Sequence, residues 1–598
     1  MPTPPHEVNM AIPHAPSVVE DKLRALRRRR REILALPPEK ALSAILESPE
    51  ALPLIHSLPE QDFYFLVQEI GPEDALPLLK MATAGQWEFL LDREVWRGDR
   101  WVDAALTRWL GLLLQADPRR VVDWVLAEKT EEVKFYLFRN IELRVREHDQ
   151  DPSDLGEGFE TLDDLFYFRF RKPPPDGEAS VAGQEERQAV ITRLLGLLAD
   201  RDLRVLNGLL LEAADVIAPE VEEEAYRLRN VRLAESGFLP LEEAVAIYQP
   251  LAPQDLQQFA RRTARADARR ALKLPVPLAG AGLLGAESLF ERALGHVSAE
   301  AEHDRLQQEF AALCNRLIAA DQSPVRQRQE LRAVVRKACG YLSMGLEQLL
   351  GAAAREDHAA ARAADLLQRY FLEPLFRVGY GPAAALKRRA QRWQRESWFG
   401  QHGLPLGFWG EEGLGLVGGL LLKRPLYFEG RRSGQLYRDF ATMAEIRETR
   451  CELDALIRLD QLLSLLNPPL PRGERRLLTY KNLLLTLWAT SCLGLPAAEK
   501  FPQLALADFR RFCEGLFTPR PPAAAPAPRR IPSERRTAFL DWLAAGSGLR
   551  PDEISARLGN RLEALFSEIE AELGPVAPSD LDPRFIGLFL MAGAEPLS

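Results

Sequence analysis

The chain has 598 residues, 46% of them hydrophobic and 27% charged, the balance of a soluble globular protein able to bury its own core. Its formal net charge is -9. That balance argues against nucleic acid as a partner, because phosphate binding wants a basic face, and only the run Arg27 to Arg31 speaks for it.

Residues 1–20 are rich in proline and lack periodicity, so disorder is expected there. A helix from Val18 to Ala35 follows, carrying Lys22, Arg24 and the arginine run. Then comes a stuttering repeat: Pro38-Glu39, Pro49-Glu50, Pro59-Glu60 and Pro72-Glu73. Each pair opens a short apolar run. Proline suits the first helical position because its missing N–H has no helical partner there, and the glutamate meets the positive end of the helix dipole. The repeat predicts at least four short helices over 36–91, each with its Pro-Glu pair in the first turn. Helices this short are too small to stand alone and must stack, which is the logic of a superhelical array. The array is expected to occupy 21–148, with longer helices near 103–115 and 118–129.

The pattern then changes. Residues 149–158 are acidic and turn-rich. In 159–171, Phe166, Phe168 and Phe170 alternate with Tyr167 and Arg169, a strand period, with Asp163-Asp164 as the turn. A β-hairpin followed by an exposed linker is expected over 149–186. A large helical domain is expected over 187–519. Within it, Pro219 starts a helix that Gly237 ends, with Phe238 making the accompanying apolar contact. A short helix near 241–248 stops at Pro250. The region 222–250 is expected to act as a hinge, with Arg229 and Arg232 meeting carboxylates from another element, Glu242 and Glu243 being the candidates. Residues 414–428 read either as helix or strand, with a second hairpin ending near Gly430. Thr442 and Glu445 form a capping box for a helix over 442–466. Residues 520–532 read as a Pro/Ala tether that trypsin should cut after Arg520, Arg529 or Arg530. A small helical module, 533–598, closes the chain.

The expected fold class is therefore mainly α: an irregular α-superhelix or solenoid array at the N-terminus, plus a larger helical domain with one or two small β-hairpins. The Pro-Glu array resembles the N-terminal superhelical domain of MgtE-type magnesium channels. That family's paired regulatory domains and membrane domain have no counterpart, so neither magnesium transport nor any magnesium-binding residue carries over. Four stretches, QDFYFLVQEIGPEDALPLL, RNVRLAESGFLPLEEAVAIYQPL, ESWFGQHGLPLGFWGEEGLG and DPRFIGLFL, resemble an uncharacterised bacterial family, the domain of unknown function 6178. This resemblance spans nearly the whole chain and implies no activity.

Motifs for chemistry are few. Gly280, Gly282 and Gly285 spell G-x-G-x-x-G, but the lead-in Lys-Leu-Pro-Val-Pro is no central strand, so a loop is expected. Asp149, Asp151, Ser153, Glu157 and Glu160 fit positions of a calcium loop, yet Asp154 stands where glycine is needed. The five cysteines, at 314, 339, 451, 492 and 513, include no Cys-x-x-Cys, so neither a disulfide framework nor a zinc site is expected, and a reducing cytoplasm is. The N-terminus lacks the charged start and apolar stretch of a signal peptide, and no apolar run is long enough to span a membrane. No catalytic residue, cofactor or metal ligand is assigned.

Two surface regions stand out. One is Glu222 to Glu224, with Glu223 and Glu224 near Arg229, and Glu242 and Glu243 beyond; the ordinary alternative is that these carboxylates decorate a helix N-terminus and join a salt-bridge network. The other is the aromatic patch Trp393, Trp398, Phe408 and Trp409 followed by Glu411 and Glu412: aromatics at helical spacing more often belong to a core, while Gly407 and Gly410 imply a loop, where a peptide or ligand groove is the alternative. The first reading is a cytoplasmic, non-enzymatic scaffold or adaptor that binds protein partners through its helical surface. The alternatives are an enzyme with a site around 222–250 or 396–415, and a divalent-cation sensor.

Overall fold

The structure is a computed structural model that describes residues 18–171, 181–214, 217–260, 281–285, 287–323, 325–355, 358–430, 434–470, 477–495, 503–518 and 529–592. It is mainly α, with three small antiparallel sheets among the described residues. The chain forms two compact units, Met1–Arg377 and Val378–Ser598.

The first unit begins with the helix Val18–Ala35, at the bounds expected. The Pro-Glu segment forms helices Pro38–Leu46, Ala51–His56, Glu60–Ile70, Leu76–Met81 and Ala84–Glu94. Only Pro38-Glu39 lies inside its helix; Glu50 and Pro59 are the capping residues of theirs, and Pro72-Glu73 sits in the turn before Leu76. The pairs thus mark where helices start rather than fill first turns. Their stacking rests on Gln86, which closes a capping box with Thr83 and donates 2.9 Å hydrogen bonds to the Ile55 and Leu58 carbonyls. Buried Trp87 donates to the Leu79 carbonyl at 2.9 Å. One side-chain amide and one indole therefore satisfy the carbonyl ends left open by neighbouring short helices. The same helices share a core with later chain: Gln61 and Asn315, both buried, exchange amide hydrogen bonds of 3.0 and 2.7 Å.

The expected hairpin is a three-stranded antiparallel sheet, Ile141–Val145, Phe166–Phe170 and Glu160–Thr161, with Phe166–Phe170 in the centre. The strand Ile141–Val145 went unread because it follows the helix Thr130–Asn140 without a breaker. Asp163 and Asp164 do make the turn: Asp163 Oδ1 accepts from the Leu165 and Phe166 amides, and Asp164 takes a φ of +59°. The three phenylalanines do not form one evenly buried face. Phe166, Tyr167 and Phe168 are all buried, whereas Phe170 is half-exposed. Residues 172–180 of the expected linker lie outside the described residues, and 181–186 belong to the helix Val181–Arg201, whose Gln184-Glu185-Glu186-Arg187 run favours helix over linker.

The helix Ala218–Glu235 ends as expected, with Gly237 at φ +83° and the Phe238 amide donating back to Leu233 at 2.9 Å. A Cβ at Gly237 would lie 2.7 Å from the Ala312 backbone, so this close approach admits only glycine. The expected hinge region 222–250 thus lies inside the first unit, packed on the helix Glu300–Asp321.

In the second unit the helix Met443–Leu466 carries the expected Thr442–Glu445 capping box. Its buried Asp460 accepts from the backbone amides of Trp398 (3.2 Å) and Phe399 (3.0 Å) and from the Trp393 indole (3.4 Å). Around it pack Trp393, Trp398, Phe399, Phe408 and Trp409, all buried. The ambiguous stretch is a helix, Gly410–Leu421, followed by a strand pair, Tyr427–Phe428 with Tyr437–Arg438, so the hairpin begins before Gly430 rather than ending there. The helices Ser533–Ser547 and Pro551–Leu573 close the unit, their Phe539 and Phe566 packing on Trp488. Residues 519–528 of the Pro/Ala segment, with Arg520, lie outside the described residues. The remainder is no free tether: Arg529 donates to the Leu573 and Val576 carbonyls, and buried Ile531 donates its amide to Glu570. The chain at Arg529 and Arg530 is thus tied down by backbone bonds to Gly574 and Thr518, although the Arg530 side chain itself is exposed.

Candidate functional site

Behind Glu411 and Glu412 lies a groove of about 630 Å³ in the second unit. One wall is the glycine-rich helix Gly410–Leu421. A run with five glycines in twelve residues makes a poor helix on propensity alone, and the reason for them is contact. A Cβ at Gly415 would fall 2.2 Å from the Phe428 ring, and one at Gly419 would fall 2.8 Å from the Tyr437 ring. The glycines let the strand pair lie directly on the helix, and Tyr437 Oη donates to the Gly415 carbonyl at 3.0 Å. Gly415→Ala is expected to push Phe428 aside and cost about 1–3 kcal/mol, the usual range for overpacking. Thermal unfolding of the full chain measures this, and an unchanged transition shows that the ring moves freely.

The other walls come from Glu448, Thr449, Glu452 and Leu456 of the helix Met443–Leu466, and from Arg561 of the helix Pro551–Leu573. Five carboxylates, Glu411, Glu412, Glu429, Glu448 and Glu452, face one guanidinium, Arg561. Several of these are already engaged. Arg561 bonds Glu452 at 2.8 Å, Tyr427 Oη donates to Glu448 at 2.9 Å, and Glu429 lies 3.2 Å from Arg438. Burial first, then the Glu448 carboxylate, raises the Tyr427 phenol above its ordinary value, so it stays a neutral donor. Glu411 and Glu412 are exposed and carry no ion pair among the described residues. Between the carboxylates lie apolar walls, including Leu414 and Leu436, which are 42% and 53% exposed. The arrangement is an elongated acidic groove with apolar walls. Among the described residues no three histidine, cysteine or acidic side chains are grouped so as to hold a metal ion.

The expected site residues fall into separate places. Trp409 is 1% exposed and belongs to the aromatic core beneath the groove, 5.5 Å from Trp393 and 5.4 Å from Phe399 between ring centres. Of the two readings of this patch, core and loop surface, the buried rings fit the core: the adjacent glycines shape a tight turn whose rings all point inward. Only Glu411 and Glu412 reach the groove. Glu448, Glu452 and Arg561 were missed because nothing local marks them; they lie 37 to 150 residues from Glu411 in the chain and meet it only through packing.

In the first unit, Arg229 and Arg232 do meet an acidic partner from another element, but it is not Glu242 or Glu243, which are exposed. Arg232 makes a two-pronged contact with Asp92, both bonds 2.8 Å, and Arg229 donates to the Asp92 backbone carbonyl at 2.7 Å. Lys129, Glu88 and Glu132 extend the network, with Lys129 at 2.6 Å from Glu88 and 3.1 Å from Glu132. Three cations and three carboxylates balance. Burial lowers the Arg229 guanidinium to about 10, still charged at neutral pH. Glu224 pairs with Arg227 on the exposed helix face, Glu222 accepts from the Trp101 amide, and Glu223 is exposed. This region is a structural network joining helices.

Among the described residues no helix is long and apolar enough to cross a membrane. Compared with known sequences, residues 19–592 match a family of unknown function, DUF6178, and the chain belongs to that family. No curated protein and no solved structure matches it.

Proposed function

We propose that this family member is a non-enzymatic adaptor that takes a basic, apolar-flanked peptide segment of a protein partner into the acidic groove of its second unit. The observation that carries the reading is the groove's composition: five carboxylates against one arginine, with exposed leucines between them. Complementary charge steers encounter and selects register, while the leucine-lined walls supply desolvation. The stacked short helices of residues 38–94, a superhelical array in this reading, offer a second broad surface for partners. Five free cysteines, two of them exposed, fit work in a reducing cytoplasm.

Fluorescence anisotropy tests the proposal, using the full chain and a labelled twelve-residue peptide alternating lysine pairs with leucines. Wild type is expected to bind it, more weakly as salt rises, and to ignore the peptide with glutamate in place of lysine. Glu411→Lys with Glu412→Lys should weaken binding about tenfold or more, since two rim charges are reversed. Equal binding of both peptides, or full binding by the double variant, overturns the reading.

A further inference from the structure

The arginine run at 27–31 is mostly consumed by internal contacts. Arg27 lies 3.3 Å from Asp304, Arg28 and Arg29 pair with Glu32, and buried Arg30 donates to the Ser57 carbonyl at 2.6 Å. Arg31 carries no ion pair among the described residues. It lines a groove of about 420 Å³ in the first unit together with Arg328 and Arg332. The geometry forces these three together. Arg328 and Arg332 stand one turn apart on the helix Arg328–Leu350, so their side chains share a face. Arg328 donates to the Leu34 carbonyl at 2.6 Å, one turn beyond Arg31 on the helix Val18–Ala35.

The carboxylate lining this groove is Glu69, which Arg328 engages at 3.0 Å. Burial raises the Glu69 carboxyl above its ordinary value, so it is a reluctant counter-charge. Arg332, like Arg31, has no ion pair among the described residues. Two guanidiniums are therefore uncompensated in a chain whose net charge is -9. A further polar group faces the same space. Gln307 lines the groove and contacts His303 at 2.9 Å through its amide. Leu34, Phe65, Leu66 and Leu331 make an apolar wall.

We infer that this groove binds a small organic phosphate, its phosphate held between Arg31 and Arg332 and its apolar body against Phe65 and Leu331. Guanidinium forks match phosphate oxygens, and clustered like charges without counter-charge are relieved by a bound anion. The volume is that of a small-molecule site rather than a polymer track. Gly282, of the glycine motif, also borders the groove, although Gly280 lies outside the described residues.

Calorimetric titration of the full chain at fixed ionic strength tests this with phenyl phosphate, ADP and inorganic pyrophosphate. At least one of the organic phosphates is expected to bind. Arg31→Ala and Arg332→Ala should each weaken binding about tenfold or more, the scale of one lost charged hydrogen bond. Arg119→Ala, an exposed arginine elsewhere, should change nothing. Without ligand, neither groove variant should lower the melting temperature, because each relieves like-charge repulsion. Pyrophosphate binding as tightly as the organic phosphates overturns the apolar part of the inference. Failure of both organic phosphates to bind wild type, or undiminished binding by the double variant, overturns the whole.

Discussion

Asp460→Ala is expected to destabilise the second unit by roughly 3–5 kcal/mol, because each buried donor left unpaired costs about 1–3 kcal/mol and three lose their acceptor together. Those donors are the amides of Trp398 and Phe399 and the Trp393 indole. The first two belong to the turn Trp398–Gln401, which also uses the Ser397 hydroxyl to cap the Gly400 amide at 3.0 Å. Loss of Asp460 frees that turn, and with it the aromatic floor on which the acidic groove rests. Hydrogen exchange at the Trp398 and Phe399 amides assigns the loss to this place, and unchanged protection there defeats the argument. Asp460→Asn separates charge from hydrogen bonding. Burial, opposed by the donors, holds the Asp460 carboxyl above its ordinary value. A raised acid contributes stability that is complete below the ordinary aspartate value and is lost as pH rises through the folded value. The penalty of Asp460→Asn should therefore shrink as pH rises through that window. A penalty that grows instead means that the donors, not burial, dominate.

Much of the fold was legible wherever a local rule acts alone. Thr442 and Glu445 announce a helix start because a capping box needs only residues three apart, and Gly237 announces a stop because only glycine takes its φ without strain. The Ile141–Val145 strand was hidden although Ile141, Leu143 and Val145 alternate with Glu142 and Arg144. The alternation runs directly on from a helix, and its partner strand lies more than twenty residues away. Trp409 stayed open between core and surface for the opposite reason. Its glycine neighbours do mark a turn, but whether a ring on a turn points to water or into a core is decided by what packs above it.

The same division governs the sites. Glu411 and Glu412 could be singled out from their neighbourhood, yet a groove exists only once Glu448, Glu452 and Arg561 arrive from two other helices. The basic run at 27–31 reads as one patch in sequence. In the structure helical geometry splits it: consecutive residues point in different directions, so one arginine is buried, three find carboxylates, and Arg31 alone turns to the groove. Charge runs on helices are thus poor guides to surface charge until the neighbours are known.

Phe168→Ala is expected to cost the first unit about 3–5 kcal/mol, the usual loss for deleting a buried phenyl ring. Phe168 is 2% exposed, at the middle of the central strand of its sheet. It stands opposite Leu143 on one side and Glu160 on the other, and its ring meets Phe170 edge-on at 5.8 Å. No other strand can take over its place, because a one-residue slip would turn Phe168 to the opposite face and bring Arg169 in. The cavity cannot close by collapse either, since Asp163 pins the turn through two backbone bonds and Arg169 ties the strand to Glu142 at 2.5 Å. Phe170→Ala is the internal comparison: its ring is half-exposed, so a smaller loss is expected. Urea unfolding of the full chain, with hydrogen exchange over 141–170 to locate the weakened unit, provides the measurement. Equal losses for the two variants mean that the rings act as one edge-on pair. A near-zero loss at Phe168 means that the sheet is not part of the core.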